Sequence, residues 1–139
     1  MVEMDRIADV MGSSNLHTIA ALNEAVLQGL PKSTLRSTVK HLYSTPSDQM
    51  RFLYRVVPEA TYKRRKDRLN EAESERTERL ARTIATAEYV LGDQALARQF
   101  LTGSHPMLNG KTPIETALSE LGARRVEQML FGIFYGLPV

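Results

Sequence analysis

A chain of 139 residues, 42% hydrophobic and 24% charged, has room for one ordinary domain or for two small helical subdomains sharing a core. Its net charge of +2 and pI near 9.0 permit an anionic partner without requiring one, and the lack of cysteine excludes disulfides and thiolate chemistry. No run of about 18 apolar residues is present. Glu3, Asp5 and Asp9 stand where a signal peptide would be basic, so the reading is a cytoplasmic protein with no membrane span.

In chain order, almost every periodic stretch is helical, and none alternates convincingly as a strand would. Leu16, Ile19, Leu22 and Val26 recur at helical spacing, with Asn15 placed to cap the helix and Gly29 to close it. The stretch "LPKSTLRSTVKHLY" predicts a second helix with Leu35, Val39 and Leu42 facing inward. In "TPSDQMRFLYRV" a third helix opens, with Thr45 as cap, Pro46 at the first position and Asp48 in the first turn. Pro58 interrupts, and "EATYKRRKDR" restarts the helix. A long helix from Leu69 runs through Ala72, Arg76, Leu80, Ile84, Ala87 and Leu91. Gly92 ends it, and Asp93 caps the short helix of "DQALARQFL". After the loop "TGSHPMLNGK", the residues "TPIE" form a capping box: Thr112 caps, Pro113 starts the helix and Glu115 reaches back. Gly122 is expected to mark the break before the last helix. The whole reads as all-α, with a seam near residue 70.

The terminal stretch "FGIFYGLPV" carries six bulky apolar or aromatic residues in nine and no charge, although a chain end is ordinarily polar. With Leu130 at zero and about 100° per residue, Val126, Met129, Ile133, Phe134 and Leu137 lie within roughly 100° on one side or 40° on the other. That stripe suffices to seat the helix. Phe131 and Tyr135 point elsewhere, one turn apart, while Gly132 and Gly136 leave the remaining wall open to close approach. Two readings follow: a helix buried on every side, or one with a home face and an aromatic face presented to a partner. The tail Leu137-Pro138-Val139 favours the second, because it would need burial yet cannot continue the helix past Pro138.

The run "YKRRKDR" places Lys63, Arg64, Arg65, Lys66 and Arg68 within six residues. A helix, the short "VVPE" turn and a second short helix ending in this run have the outline of a helix-turn-helix, which sets a helix in the major groove while basic side chains neutralise phosphates. "GLPKSTL", with Lys32, Arg36 and Lys40, gives a second such outline. Beyond Glu71 the charges read as a solvated helix face with i,i+4 pairs.

The C-terminal half resembles the toxin-binding domain of the Xre/MbcA/ParS-like antitoxins over roughly residues 58–139. The matching stretches are "RLARTIATAEYVLGDQALARQFL", "HPMLNGKTPIETALSELGARRVEQMLFGIFYG" and the closing "LPV". His105 and Asn109 depart from the family's usual Asn-Pro-x-Leu-Gly-Gly turn. The resemblance implies a helical, repressor-like region over residues 1–69 for DNA binding and dimerisation, followed by a toxin-binding domain over residues 70–139. It implies an antitoxin of a type II toxin-antitoxin system, opposing a RES-domain toxin that consumes NAD or ADP-ribosylates. The residues it assigns to the toxin are Phe131, Gly132, Phe134, Tyr135, Gly136, Leu137, Pro138 and Val139, as a segment that blocks the toxin's active-site cleft. The helix-turn-helix outline that ends in the basic run supplies the residues expected to meet operator DNA: Thr61, Lys63, Arg64, Arg65, Lys66 and Arg68. A homodimer or higher oligomer is expected, and the competing reading is a stand-alone DNA-binding regulator without a toxin.

No catalytic constellation is visible, and no cofactor or metal is expected. His17, His41 and His105 lack metal-ligand spacing, "MGSSN" lacks the Lys of a phosphate-binding loop, and "TGSH" has the composition of a turn.

Overall fold

The computed structural model describes residues 3–13 and 15–136. Its elements are α1 (Met4–Met11), α2 (Ile19–Gln28), α3 (Lys32–Lys40), α4 (Pro46–Val56), α5 (Glu59–Arg64), α6 (Glu71–Leu91), α7 (Gln94–Thr102), a 3-10 turn (Pro106–Leu108), α8 (Pro113–Thr116) and α9 (Glu120–Phe134). No strand forms among the described residues; only an isolated bridge joins Pro31 and Arg68. The protein is all-α.

The helix α6 is the spine. It packs on α1, α2, α3 and α4 and also on α7 and α9, so one apolar cluster runs from Ile7 to Leu130. Leu35, Leu53, Leu80, Leu101, Ile114 and Leu130 are wholly buried within it. Asn70 and Glu73 form a reciprocal capping box at the start of α6, and Gly92 in the left-handed region ends the helix. Thr77, Thr83 and Thr86 stay buried at low cost because each hydroxyl donates to the carbonyl four residues back.

Local chemistry sets several boundaries as expected. Thr45 Oγ1 accepts from the Asp48 amide, Asp93 from that of Leu96, and Thr112 and Glu115 exchange both capping bonds. Elsewhere the structure corrects the sequence reading. Asn15 does not cap α2: its side chain accepts from Ser13, and Thr18 takes the cap by accepting from the Ala21 amide at 3.0 Å. The helix therefore starts at Ile19, which faces solvent, while Leu16 is buried from the loop before it. The segment α1, which had no assigned periodicity, is a helix because Ile7, Ala8, Val10 and Met11 all find buried partners. The helix restarting at Glu59 stops at Arg64 instead of running through Arg68.

Gly122 does not break the chain either. It lies in the first turn of α9, and the break falls at Ser119, whose Oγ accepts from the Gly122 amide at 3.0 Å. A Cβ at residue 122 would sit 1.8 Å from the Thr116 carbonyl oxygen. Glycine is required there by close approach of α8 and not by a turn.

Candidate functional site

The last helix emerges from the core one side chain at a time. Val126 and Leu130 are fully buried and Met129 nearly so, on a helix that packs against α6 and α8. One turn later the burial stops: Ile133, Phe134 and Tyr135 are 37%, 46% and 69% exposed. This corrects the expected home stripe, in which Ile133 and Phe134 sat beside Leu130. Beyond Leu130 the wall that α6 offers to Phe134 is the ring of Tyr89, itself exposed, close to the end of α6 at Leu91. Within the single chain, the described end of the helix is not buried on every side. Phe131 is half-buried and lines a groove with Arg82, Thr83 and Arg124.

The exposed rings are organised. Phe131 and Tyr135 are neighbours at 6.5 Å between centroids, one turn apart as the sequence spacing requires. Phe134 meets Tyr135 edge-on at 5.1 Å and 85°, and stacks on Tyr89 of α6 at 5.7 Å and 27°. Edge-on and offset-stacked pairs are the favoured aromatic geometries and order the rings without burying them. Gly132 is half-buried and Gly136 exposed, the latter at φ +70° where the helix closes. Leu137, Pro138 and Val139, assigned to the toxin by resemblance, lie outside the described residues. No periodicity singles out Tyr89. The available signal is an aromatic residue among alanines and threonines in "TIATAEYVL".

At the other end, the two helix-turn-helix outlines meet at one joint. Residues 65–69, bent at Lys66 and Asp67, lie against the turn between α2 and α3. The Lys32 amide donates to the Asp67 carbonyl, the Leu69 amide to the Leu30 carbonyl, and the Leu30 amide to Ser74 Oγ. Tyr62 hangs α5 on α3: it is buried, accepts from Arg36 at 2.9 Å, and carries the Lys32 ammonium 4.3 Å over its ring. Stopping α5 at Arg64 is what frees residues 65–69 to make this clamp.

The basic run divides accordingly. Arg65 forms two hydrogen bonds, at 3.1 and 3.0 Å, to the buried carboxylate of Glu73, which also accepts from the Asn70 amide. Burial alone would raise the Glu73 pKa, but the Arg65 guanidinium and the Asn70 amide outweigh it and hold the carboxyl below its ordinary value. Arg68 donates to the Gly29 carbonyl. Lys63 pairs with Glu59 at i,i+4, an exposed pair that raises its pKa mainly through that hydrogen bond. Thr61 is half-buried. Arg64 and Lys66 are exposed and have no partner among the described residues, so they are the pair most available to an anion.

The histidines are engaged in local contacts. His17 pairs with Asp5 at 2.7 Å, His41 with Glu88 at 2.9 Å, and His105 accepts from the Met107 amide at 3.2 Å. Among the described residues no group of three or more histidine or carboxylate side chains could hold a metal ion.

These two surfaces coincide with two family matches in tandem. Residues 21–82 match the antitoxin Xre-like helix-turn-helix domain, which spans the α4–α5 hairpin and the clamp. Residues 86–136 match the antitoxin Xre/MbcA/ParS C-terminal toxin-binding domain, which begins just before Tyr89 and ends with the exposed rings. No curated protein sequence matches the chain. Together the two matches cover most of the chain, in the order that an exposed basic hairpin followed by an aromatic end would suggest, and the protein belongs to the Xre/MbcA/ParS-like antitoxins.

Proposed function

We propose that this antitoxin neutralises a RES-domain toxin, an NAD-consuming or ADP-ribosylating enzyme, by lodging residues 131–139 in the toxin's active-site cleft. The observation that carries this reading is the sudden exposure of Ile133, Phe134 and Tyr135 directly beyond the buried Leu130. A helix end that displays three large apolar side chains in the solvent needs a partner surface to cover them. Inhibition of this kind is steric: it occupies the volume the substrate needs, and a few aromatic anchors dominate its affinity. Operator binding through α4 and α5, with repression of its own operon, completes the proposal. Residues 1–69 would then serve DNA and dimerisation, and residues 70–139 the toxin. Helix-turn-helix proteins usually read paired half-sites by two-fold symmetry, so a dimer or higher oligomer in the cytoplasm is part of the same reading.

The test is co-expression with the RES-domain protein encoded in the adjoining reading frame. Tyr135→Ala is expected to weaken the complex about 30-fold or more, the equivalent of about 2 kcal/mol for a central aromatic anchor, and to let the toxin arrest growth. Its thermal midpoint should stay near that of the parent, because the ring is mostly in solvent. Leu130→Ala, by contrast, should cost about 2–5 kcal/mol of stability. Full growth rescue by a folded Tyr135→Ala protein would sink the proposal.

A further inference from the structure

The aromatic ledge does not begin on the toxin-binding domain. It begins on α1, which lies outside both family matches. The Arg6 guanidinium stands 5.2 Å from the centroid of Tyr89, the ring on which Phe134 stacks. From there the contacts continue through Phe134 to Tyr135 and Phe131, so five side chains on α1, on α6 and at the end of α9 form one continuous strip, exposed except at the half-buried Phe131. Helix α1 is a firm support for it: Ile7, Ala8, Val10 and Met11 are buried against α3 and α6, which leaves Arg6 on the outer flank.

We infer that Arg6 and Tyr89 belong to the surface that binds the toxin, with Tyr89 holding Phe134 in its docking orientation and Arg6 both fixing Tyr89 and offering a cation to the partner. The inference rests on the proposed antitoxin role of the C-terminal end and extends it across the molecule. Tyr89 falls within the matched toxin-binding domain, so the strip is continuous with that interface. Its chemistry defines the partner: an apolar pocket for the rings, bordered on the α1 side by a carboxylate that can meet a guanidinium. A guanidinium resting on a ring keeps its N–H edge available for such a pairing, and a lysine would keep the charge without the planar fork.

The experiment measures the affinity of the full-length antitoxin for the purified RES-domain protein encoded beside it. The variants are Arg6→Gln, Arg6→Lys, Tyr89→Leu, the double variant Arg6→Gln/Tyr89→Leu, and Tyr135→Ala, each with a thermal melt. Arg6→Gln is expected to weaken binding at least threefold to fivefold, the scale of an exposed cation–π contact, with Arg6→Lys intermediate and the melt unchanged. Tyr89→Leu is expected to weaken it about tenfold. The double variant should lose less than the product of the two, since the side chains act as one unit. Parental affinity of Arg6→Gln and Tyr89→Leu alongside a weakened Tyr135→Ala overturns this inference and leaves the C-terminal reading standing. Parental affinity of all three overturns both.

Discussion

Gly122→Ala tests how the toxin-binding helix is positioned, and two effects of opposite sign compete at that residue. Alanine in a helix is favoured over glycine by about 1 kcal/mol, so propensity alone predicts a more stable protein. The packing predicts the reverse. The new Cβ would lie 1.8 Å from the Thr116 carbonyl oxygen and 2.8 Å from Ser119 Oγ, the atom that caps α9. Ordinary contact needs about 3.5 Å, so α9 must move away from α8 by more than an ångström or the cap must open. The backbone neighbour is held: Thr116 bonds to the Thr112 carbonyl through its amide and hydroxyl, and the carbonyl of Leu118, two residues on, accepts from Arg79. Inserting a methyl group where the obstacle can yield costs about 1–3 kcal/mol. Backbone cannot yield as a side chain does, so the upper end applies, and the net loss is about 2 kcal/mol. For a chain of this length that lowers the thermal midpoint by about 8 °C. Leu121→Ala, at an exposed neighbouring position, is the control and should change stability by less than about 0.5 kcal/mol. A Gly122→Ala protein that melts at or above the parent's midpoint would show that the α8–α9 joint is not set by this approach.

Two further predictions separate roles within the basic hairpin and its support. Arg64→Ala should leave stability unchanged and flatten the salt dependence of operator binding, by about 0.9 in the log–log slope if the side chain meets one phosphate. Arg65→Ala should instead destabilise the fold by leaving the Glu73 carboxylate buried without its cation. Equal melts for the two variants would refute this division. Glu73, Glu115 and Glu120 are all held below the ordinary carboxylate pKa. Arg65 and Asn70 overcome burial at Glu73, the Arg55 and Thr112 hydrogen bonds act first at Glu115, and Arg79, Arg82 and Arg124 overcome burial at Glu120. A depressed carboxylate stabilises the fold above its unfolded-state pKa, about 4.3, and loses that contribution as pH falls through the lower folded value. Glu78 acts in the opposite sense, since burial raises its pKa. Urea midpoints are therefore expected to hold from neutral pH to about pH 5 and to fall below about pH 4, less steeply in Glu73→Gln. An unchanged acid slope in that variant would remove Glu73 from the explanation.

Much of this architecture is written locally. Helical periodicity places Leu35, Val39, Leu80 and Ile84 on buried faces, and short-range hydrogen-bonding chemistry fixes the caps at Thr45, Asp93 and Thr112, because each cap needs only residues within one turn. The family likeness was legible for the same reason, in contiguous stretches such as "LNGKTPIE" and "GARRVE". What depends on distant partners could not be read that way. Arg65 and Arg64 are adjacent and chemically alike, yet only Arg65 meets Glu73, and this follows from how residues 65–69 clamp onto the α2–α3 turn. Phe134 shares a helix face with Leu130, but burial needs a covered wall, and the one it meets is the exposed ring of Tyr89. Gly122 resembles a helix breaker until the Thr116 carbonyl is placed against it. Arg6, 83 residues from Tyr89 in sequence, reaches its ring because α1 packs back on the spine. Periodicity determines which face of a helix is apolar; only tertiary packing decides how far along that face the core extends, and so where the protein leaves rings and charges for others to bind.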